Sequence, residues 1–292
     1  MDLLLDDSGS TLGSLRVIGE DVATIMQTTL VSNQFDSRIL REWLHPPDTS
    51  ANHNAARSKH QHTTNEWFIG GEDFTSWKST IKSLLWLYGI PGCGKTIISS
   101  SIIANLMEVD HDSKPTLAYF YFDFNDRGKQ TTQGMIYSLL SQMSTSSEAL
   151  TTIQLLYTKC DAGRREPMVD ELKDTLFTLF SDLGQIHLVI DALDECGDRE
   201  QLMSLITDIV TNNNVDVRIL MTSRREGDIE GTLAPIVSNK INIQSALVSE
   251  DIRTFVKSRL SSNARLIKWC RNPDIKDEIE TRLMTEAHGM YK

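Results

Sequence analysis

The chain has 292 residues, enough for about two domain-sized units or for one large α/β domain with appendages. With 40% hydrophobic and 24% charged residues it can bury a sizeable core, and neither a disordered nor a low-complexity class fits. A net charge of −11 and a pI near 5.1 argue against a general binder of nucleic-acid backbones, because such domains carry a basic face.

Residues 1–40 are weakly patterned. No basic stretch precedes the short apolar run of MDLLLDDSGS, so no signal peptide is expected there. No stretch approaches the ~18 consecutive apolar residues of a membrane span, and no membrane partner is expected. Val22, Ile25, Met26, Leu30, Ile39, Leu40 and Leu44 predict a helix within 20–44, ended by Pro46-Pro47, since proline cannot continue a helix. The polar stretch 45–66 reads as a linker or a short helix with loops.

From residue 81 strands and helices alternate. LLWLY (84–88) reads as a short buried strand that runs into a glycine-rich loop. Ile97, Ile98, Ile102, Ile103 and Leu106 then recur at helical spacing. LAYFYFDF (117–124) is strand-like, and Met135, Ile136, Leu139, Leu140 and Met143 mark a helix. A further helix starts near Pro167, with Val169, Leu172, Leu176, Leu179 and Phe180 on one face. IHLVID (186–191) is the third strand. A helix on Leu202, Leu205, Ile206, Ile209 and Val210 follows it, then VRILMT (217–222) and KINIQ (240–244) as fourth and fifth strands. Such alternation predicts right-handed βαβ crossovers and a mainly parallel sheet. After Ser249 the strands stop. Ile252, Phe255, Val256 and Leu260 predict one amphipathic helix, and Ile275, Ile279, Leu283 and Met284 another.

Three stretches carry chemistry. Residues 89–96, GIPGCGKT, fit G-x-x-x-x-G-K-[ST] between a strand and a helix. The backbone of Gly89, Ile90, Pro91, Gly92, Cys93, Gly94 and the first helical residues through Ile97 would surround phosphate oxygens, each residue donating an N–H except Pro91, which has none. Lys95 would reach the β- and γ-phosphates, and Thr96 would ligate Mg²⁺. The second stretch is IHLVIDALDEC, in which Asp191 ends a buried strand and Asp194 and Glu195 follow it. An acid at that strand end faces the metal's water shell in a glycine-loop nucleotide site. The third is MTSRRE, which puts Arg224 and Arg225 at the end of the fourth strand, where an arginine can offset γ-phosphate charge.

The remaining signals are weaker. His53, His60 and His62 lack cysteines or acids at ligand spacing and read as loop histidines rather than a metal site. Cys93, Cys160, Cys196 and Cys270 form no C-x-x-C pair, as expected of reduced thiols in a cytoplasmic chain. A base-reading N-K-x-D is missing, which disfavours a small GTPase.

Taken in order, GIPGCGKT, YFYFDFND, SLLSQM, LVIDALDEC and ILMTSR resemble fungal NACHT-type STAND NTPases, including those grouped with nephrocystin-like N-terminal domains. EWFIGGEDFTSW ahead of the loop matches the same family, and the likeness covers roughly residues 40–290. It implies a P-loop fold of the ASCE type, three α/β/α layers around a central, mainly parallel five-stranded sheet, with one strand inserted between those bearing the glycine loop and Asp191. It implies that Lys95 and Thr96 bind the nucleotide, that Thr96 and Asp191 hold Mg²⁺, and that Asp194 and Glu195 orient water. It implies also that Arg224 senses the phosphate and that Trp67 lies near the base. The chain departs from the pattern at Asn65, where glycine is usual, and at Arg225, where proline is common.

The corresponding organisation is an N-terminal, partly helical segment 1–44, a linker 45–80, the NTPase core 81–246 and the start of a helical domain at 247–292. Relatives usually continue through helical and winged-helix elements into a repeat sensor, and this chain is expected to stop short of them. The resemblance implies a switch that binds ATP/ADP (or GTP/GDP) with Mg²⁺ and hydrolyses slowly, with self-association and protein partners. The alternatives are a non-catalytic interaction or decoy module and a P-loop ATPase with steady turnover.

Overall fold

The structure is a computed structural model, and it describes residues 37–61, 64–108, 115–243, 251, 253–254, 256, 258, 260 and 273–287. Five parallel strands make one sheet: β1 (Leu84–Tyr88), β2 (Thr116–Tyr121), β3 (Gln185–Asp191), β4 (Asp216–Ser223) and β5 (Asn239–Asn242). Their order is β2-β3-β4-β1-β5, so β4 lies between the strand that feeds the glycine loop and the strand that ends in Asp191. That is the inserted strand the sequence implied.

β1 shows why a continuous apolar run is needed at the sheet centre. Leu84 and Trp86 enter one hydrophobic cluster, while Leu85 and Leu87 enter the other on the opposite face. A strand covered on both sides has no polar face to show. The first cluster gathers helices α1 (37–44), α6 (Thr132–Met143), α7 (Ser147–Lys159), α8 (Val169–Leu183), α9 (Arg199–Thr211) and α10 (Gly227–Leu233). The second gathers α3 (Glu66–Ile69), α4 (Glu72–Ser79) and α5 (Lys95–Glu108), with α2 (Ser50–Lys59) beside α5.

The strands lie within a few residues of their predicted bounds. The largest trim is at β2, which ends at Tyr121 rather than at 124. There Asp123 accepts from the Asn125 N–H at 2.9 Å and Asp126 accepts from the Gly128 N–H at 3.0 Å, so side-chain acceptors turn the chain away from the ladder. Helices α7 and α10 add to the predicted set. Ser146 caps α7 by accepting from Ala149 N–H at 3.1 Å, and Ala149, Ile153 and Leu156 form its buried face. Of the helix predicted within 20–44, residues 37–44 are helical and the rest lies outside the described residues. Residues 251, 253, 254, 256, 258 and 260 are helical, as is α11 (Pro273–Ala287), in keeping with the two helices expected after Ser249.

The stretch 45–80 needs correcting. Read as a linker, with a short helix as the alternative for 45–66, it carries three helices, and Phe68, Phe74 and Trp77 are at most 3% exposed. Phe74 packs at 5.4 Å from Phe68 and stacks at 5.6 Å on Trp77 (ring centroids). Polar composition hid α3 and α4, because each contributes only two large aromatics to a surface that α5 and the sheet complete, and α2 buries Ala56 alone. His53 differs from a loop histidine in the same way, with its Nδ1 3.1 Å from the Tyr121 hydroxyl.

Asn65 has φ 67° and ψ 4°, the left-handed region. That accounts for the family's glycine here, and asparagine is among the side chains that tolerate the conformation best.

On β3, His187 lies across from Arg218 of β4 and 5.1 Å from the Trp77 ring. Burial, reinforced by the Arg218 charge, lowers its pKa to about 4. An unfolded histidine takes a proton near pH 6.5, whereas the folded one stays neutral to about pH 4. Protons therefore bind the unfolded chain first. Stability is expected to fall between pH 6.5 and 4, by up to about 3 kcal/mol. Urea unfolding at stepped pH checks this: His187→Phe, of similar ring size, removes most of the loss in that window, and an unchanged slope would contradict it.

Candidate functional site

The glycine loop joins β1 to the N-terminus of α5. Gly92 (φ 76°) and Gly94 (φ 93°) adopt backbone angles open to glycine, which turn successive N–H groups to one side. A Cβ on Gly89 would come within 2.7 Å of Cys93 Sγ, so glycine is required there for close packing. Cys93 itself is buried, and burial raises its thiol pKa. Lys95 Nζ donates to the carbonyls of Gly89 and Ile90, each at 2.9 Å, and thereby folds back over the loop.

Asp191 is drawn in from three sides. Its Oδ2 accepts from Thr96 Oγ1 at 2.8 Å, and its Oδ1 accepts from Ser99 Oγ at 2.6 Å and Thr222 Oγ1 at 2.7 Å. Helix α5 and strands β3 and β4 are thus tied at one carboxylate. Burial raises the Asp191 pKa, while the three hydroxyls and the Lys95 charge act the other way. A carboxylate and a hydroxyl this close, both hard oxygen donors, are the protein ligands that suit Mg²⁺ beside phosphates, so the residues fit the metal.

The two following acids differ. Asp194 accepts from Arg224 N–H at 2.8 Å and pairs with Arg224 Nε at 3.0 Å. Glu195 Oε2 accepts from the Phe124 N–H at 3.0 Å, and burial raises its carboxyl pKa, with Asp194, Asp123 and Asp191 adding to the effect. Ala192, between these acids and β3, takes the left-handed conformation (φ 59°), which turns the chain back across the sheet edge. Arg225 points elsewhere, bound through Nε and Nη2 to Glu230 at 2.8 and 2.9 Å.

These groups meet at the carboxyl edge of the strands, where open α/β sheets bind ligands. A cleft of ≈ 440 Å³ there is lined by Pro91, Gly92, Gly94, Lys95, Thr96, Ile97, Ala192, Asp194, Glu195 and Arg224. Gly89, Ile90, Cys93 and Asp191 stand behind that wall. Lys59, Gln61 and Thr64 line the cleft as well, and sequence reasoning missed all three. The one available signal was their position just ahead of Trp67. Trp67 itself does not line the cleft: its Nε1 donates to Asp251 at 3.0 Å. Among the described residues no cluster of three or more His, Cys, Asp or Glu could hold a metal, and no helix is long and apolar enough to cross a membrane.

A parallel sheet of order β2-β3-β4-β1-β5, with a glycine loop after β1 and an acid at the end of β3, defines a P-loop NTPase fold of the ASCE type. The model of the family described as Nephrocystin 3, N-terminal, matches residues 63–224, over half of the chain, and the chain belongs to that family of NACHT/STAND-like NTPases. The chain is also similar to vegetative incompatibility protein HET-E-1 of Podospora anserina, at 27% identity over 239 residues. The match takes in 77% of this chain and 17% of the length of that protein.

Among solved structures, a Walker-type ATPase of Pyrococcus abyssi aligns at 16% identity and TM-score 0.43, over 77% of this chain and 65% of that one. PCH-2 of C. elegans aligns at 18% and 0.35, over 83% and 58%. Drosophila ORC bound to DNA aligns at 12% and 0.43, over 80% and 57%. Superpositions at this level carry no functional information.

Proposed function

We propose that this chain is the nucleotide-binding switch of an NLR-like signalling protein, taking ATP or GTP with Mg²⁺ in the ≈ 440 Å³ cleft and hydrolysing it slowly. One observation carries the reading: Thr96, at the start of the helix after the glycine loop, bonds Asp191 at the end of β3 across 2.8 Å. Phosphate cradle and metal acid are then one site.

Gly92, Gly94 and the first turn of α5 would hold the β- and γ-phosphates, which the Lys95 ammonium would balance in charge. Thr96 and Asp191 would hold Mg²⁺, which when bound would offset negative charge on the phosphates. Glu195 would orient the attacking water and accept its proton, and Arg224 would face the γ-phosphate. Lys59, Gln61 and Thr64, which also line the cleft, would surround the base or ribose. The nucleotide would bias one arrangement of the core against the helical residues that follow it. A role in recognition of self and non-self is supported by the likeness to a vegetative incompatibility protein. Self-association and protein partners belong to the same proposal.

The nucleotide retained by the purified chain, followed by single-turnover hydrolysis, tests this. Retained nucleotide and slow hydrolysis are expected. Glu195→Gln should cut the hydrolysis rate at least about a hundredfold and spare binding. Because the Glu195 pKa is raised, the rate should drop with falling pH from above the usual carboxylate range, and Glu195→Gln should flatten that limb. Absence of binding at millimolar nucleotide would favour an inert interaction module, and rapid multiple turnover would favour a working ATPase.

A further inference from the structure

Asp194 and Glu195 are adjacent acids on one turn, and their surroundings assign them different work. Both oxygens of Asp194 are committed to one residue, Oδ1 to the Arg224 N–H at 2.8 Å and Oδ2 to Arg224 Nε at 3.0 Å. The Asp194 side chain is only 6% exposed, against 45% for Arg224, so the acid is the fixed partner and the guanidinium reaches outward. Contact through Nε leaves both terminal nitrogens of Arg224 without a hydrogen bond among the described residues, on a side chain that lines the cleft. The backbone beneath is held as well. Ser223 Oγ donates to Arg224 O at 2.7 Å and accepts from Trp86 Nε1 at 2.8 Å, and Ser223 O accepts from Gly89 N–H at 3.2 Å. Arg225 cannot substitute, since Glu230 holds its guanidinium by two bonds.

We infer that Asp194 is a positioning residue: it aims the Arg224 guanidinium across the cleft toward the terminal phosphate and leaves Glu195 as the one acid of the pair that acts on water. This rests on the nucleotide-binding reading above and corrects the expectation that both acids orient water. A carboxylate with one oxygen on the Arg224 backbone N–H and the other on its guanidinium is poorly placed to orient water. Glu195, held by a single backbone N–H through Oε2, retains an oxygen for that purpose. The pairing also offsets the Asp194 charge next to Glu195, which a bare second acid would not do.

The test compares ATP and ADP affinity and the single-turnover rate in Asp194→Asn, Arg224→Gln, the double variant and Glu195→Gln. Asp194→Asn and Arg224→Gln should each lower the preference for ATP over ADP by about tenfold, and the double variant should be no worse than Arg224→Gln alone. Asp194→Glu should recover part of the preference. Glu195→Gln should keep the preference and lose hydrolysis. A double-mutant cycle on the unfolding midpoint without nucleotide should show coupling between 194 and 224.

If Asp194→Asn instead keeps the ATP preference and loses hydrolysis as Glu195→Gln does, or if the two changes add in either assay, the positioning role is overturned. A parent chain that binds no nucleotide overturns the nucleotide reading and this role with it, and coupling in the nucleotide-free cycle would trace that failure to the site rather than to the pair.

Discussion

Lys95→Ala is expected to weaken ATP binding by about a hundredfold, the scale of losing one to two charge-assisted hydrogen bonds to phosphate. Its ammonium now bonds the Gly89 and Ile90 carbonyls at 2.9 Å, so it already sits over the loop and needs only a rotamer change to meet a phosphate. Alanine removes both the charge and the loop's own partner. Because those carbonyls can turn to water, the fold should survive. Titration with a fluorescent ATP analogue, beside an unfolding midpoint for the same variant, measures both effects. Binding within threefold of the parent, with the midpoint unchanged, would remove Lys95 from the site.

The second large effect lies in the stretch whose composition reads as a linker. Phe74→Ala should destabilise the chain by about 3–5 kcal/mol, the cost of emptying a fully buried aromatic position. Phe74 is 0% exposed, lies between Phe68 and Trp77, and carries Lys78 Nζ 4.4 Å above its ring. Phe124, 64% exposed at the end of the β2 loop, provides the contrast, and Phe124→Ala should change stability by no more than about 0.5 kcal/mol. Urea unfolding separates the two. Should Phe74→Ala fail to fold, Phe74→Leu, with a smaller loss, serves in its place. A loss below about 1 kcal/mol for Phe74→Ala would mean that α3 and α4 are not part of the cooperative core.

Much of the sheet was legible because β1, β3 and β4 are short, apolar on both faces and bounded by loops with their own chemistry. LLWLY runs into glycines, IHLVID ends in an acid and VRILMT ends in Thr-Ser-Arg. The helix after the loop was legible from its isoleucine spacing. Its Ser99-Ser100-Ser101 run was not, although Ser99 reaches Asp191 at 2.6 Å. Nothing local marks one serine among three as the one that faces an acid ninety-two positions away. Helices α3 and α4 were obscured for a related reason, since a short helix contributing two aromatics has too weak a period to detect.

The sequence by itself determined the order of the strands, the glycine loop after β1 and the acid at the end of β3, because these depend on spacing of a few residues and on backbone angles that glycine permits. Only the tertiary structure decided how neighbours divide the work. Asp194 and Glu195 are alike in sequence, as are Arg224 and Arg225. Asp194 faces Arg224, Glu195 faces the Phe124 amide, and Arg225 turns to Glu230. Direction at a turn is set by the αL residue Ala192 and by partners brought in from the loops after β2 and β4 and from α10. Phe124 and Arg224 are distant in sequence from the acids they meet, and chain order carries no record of that pairing.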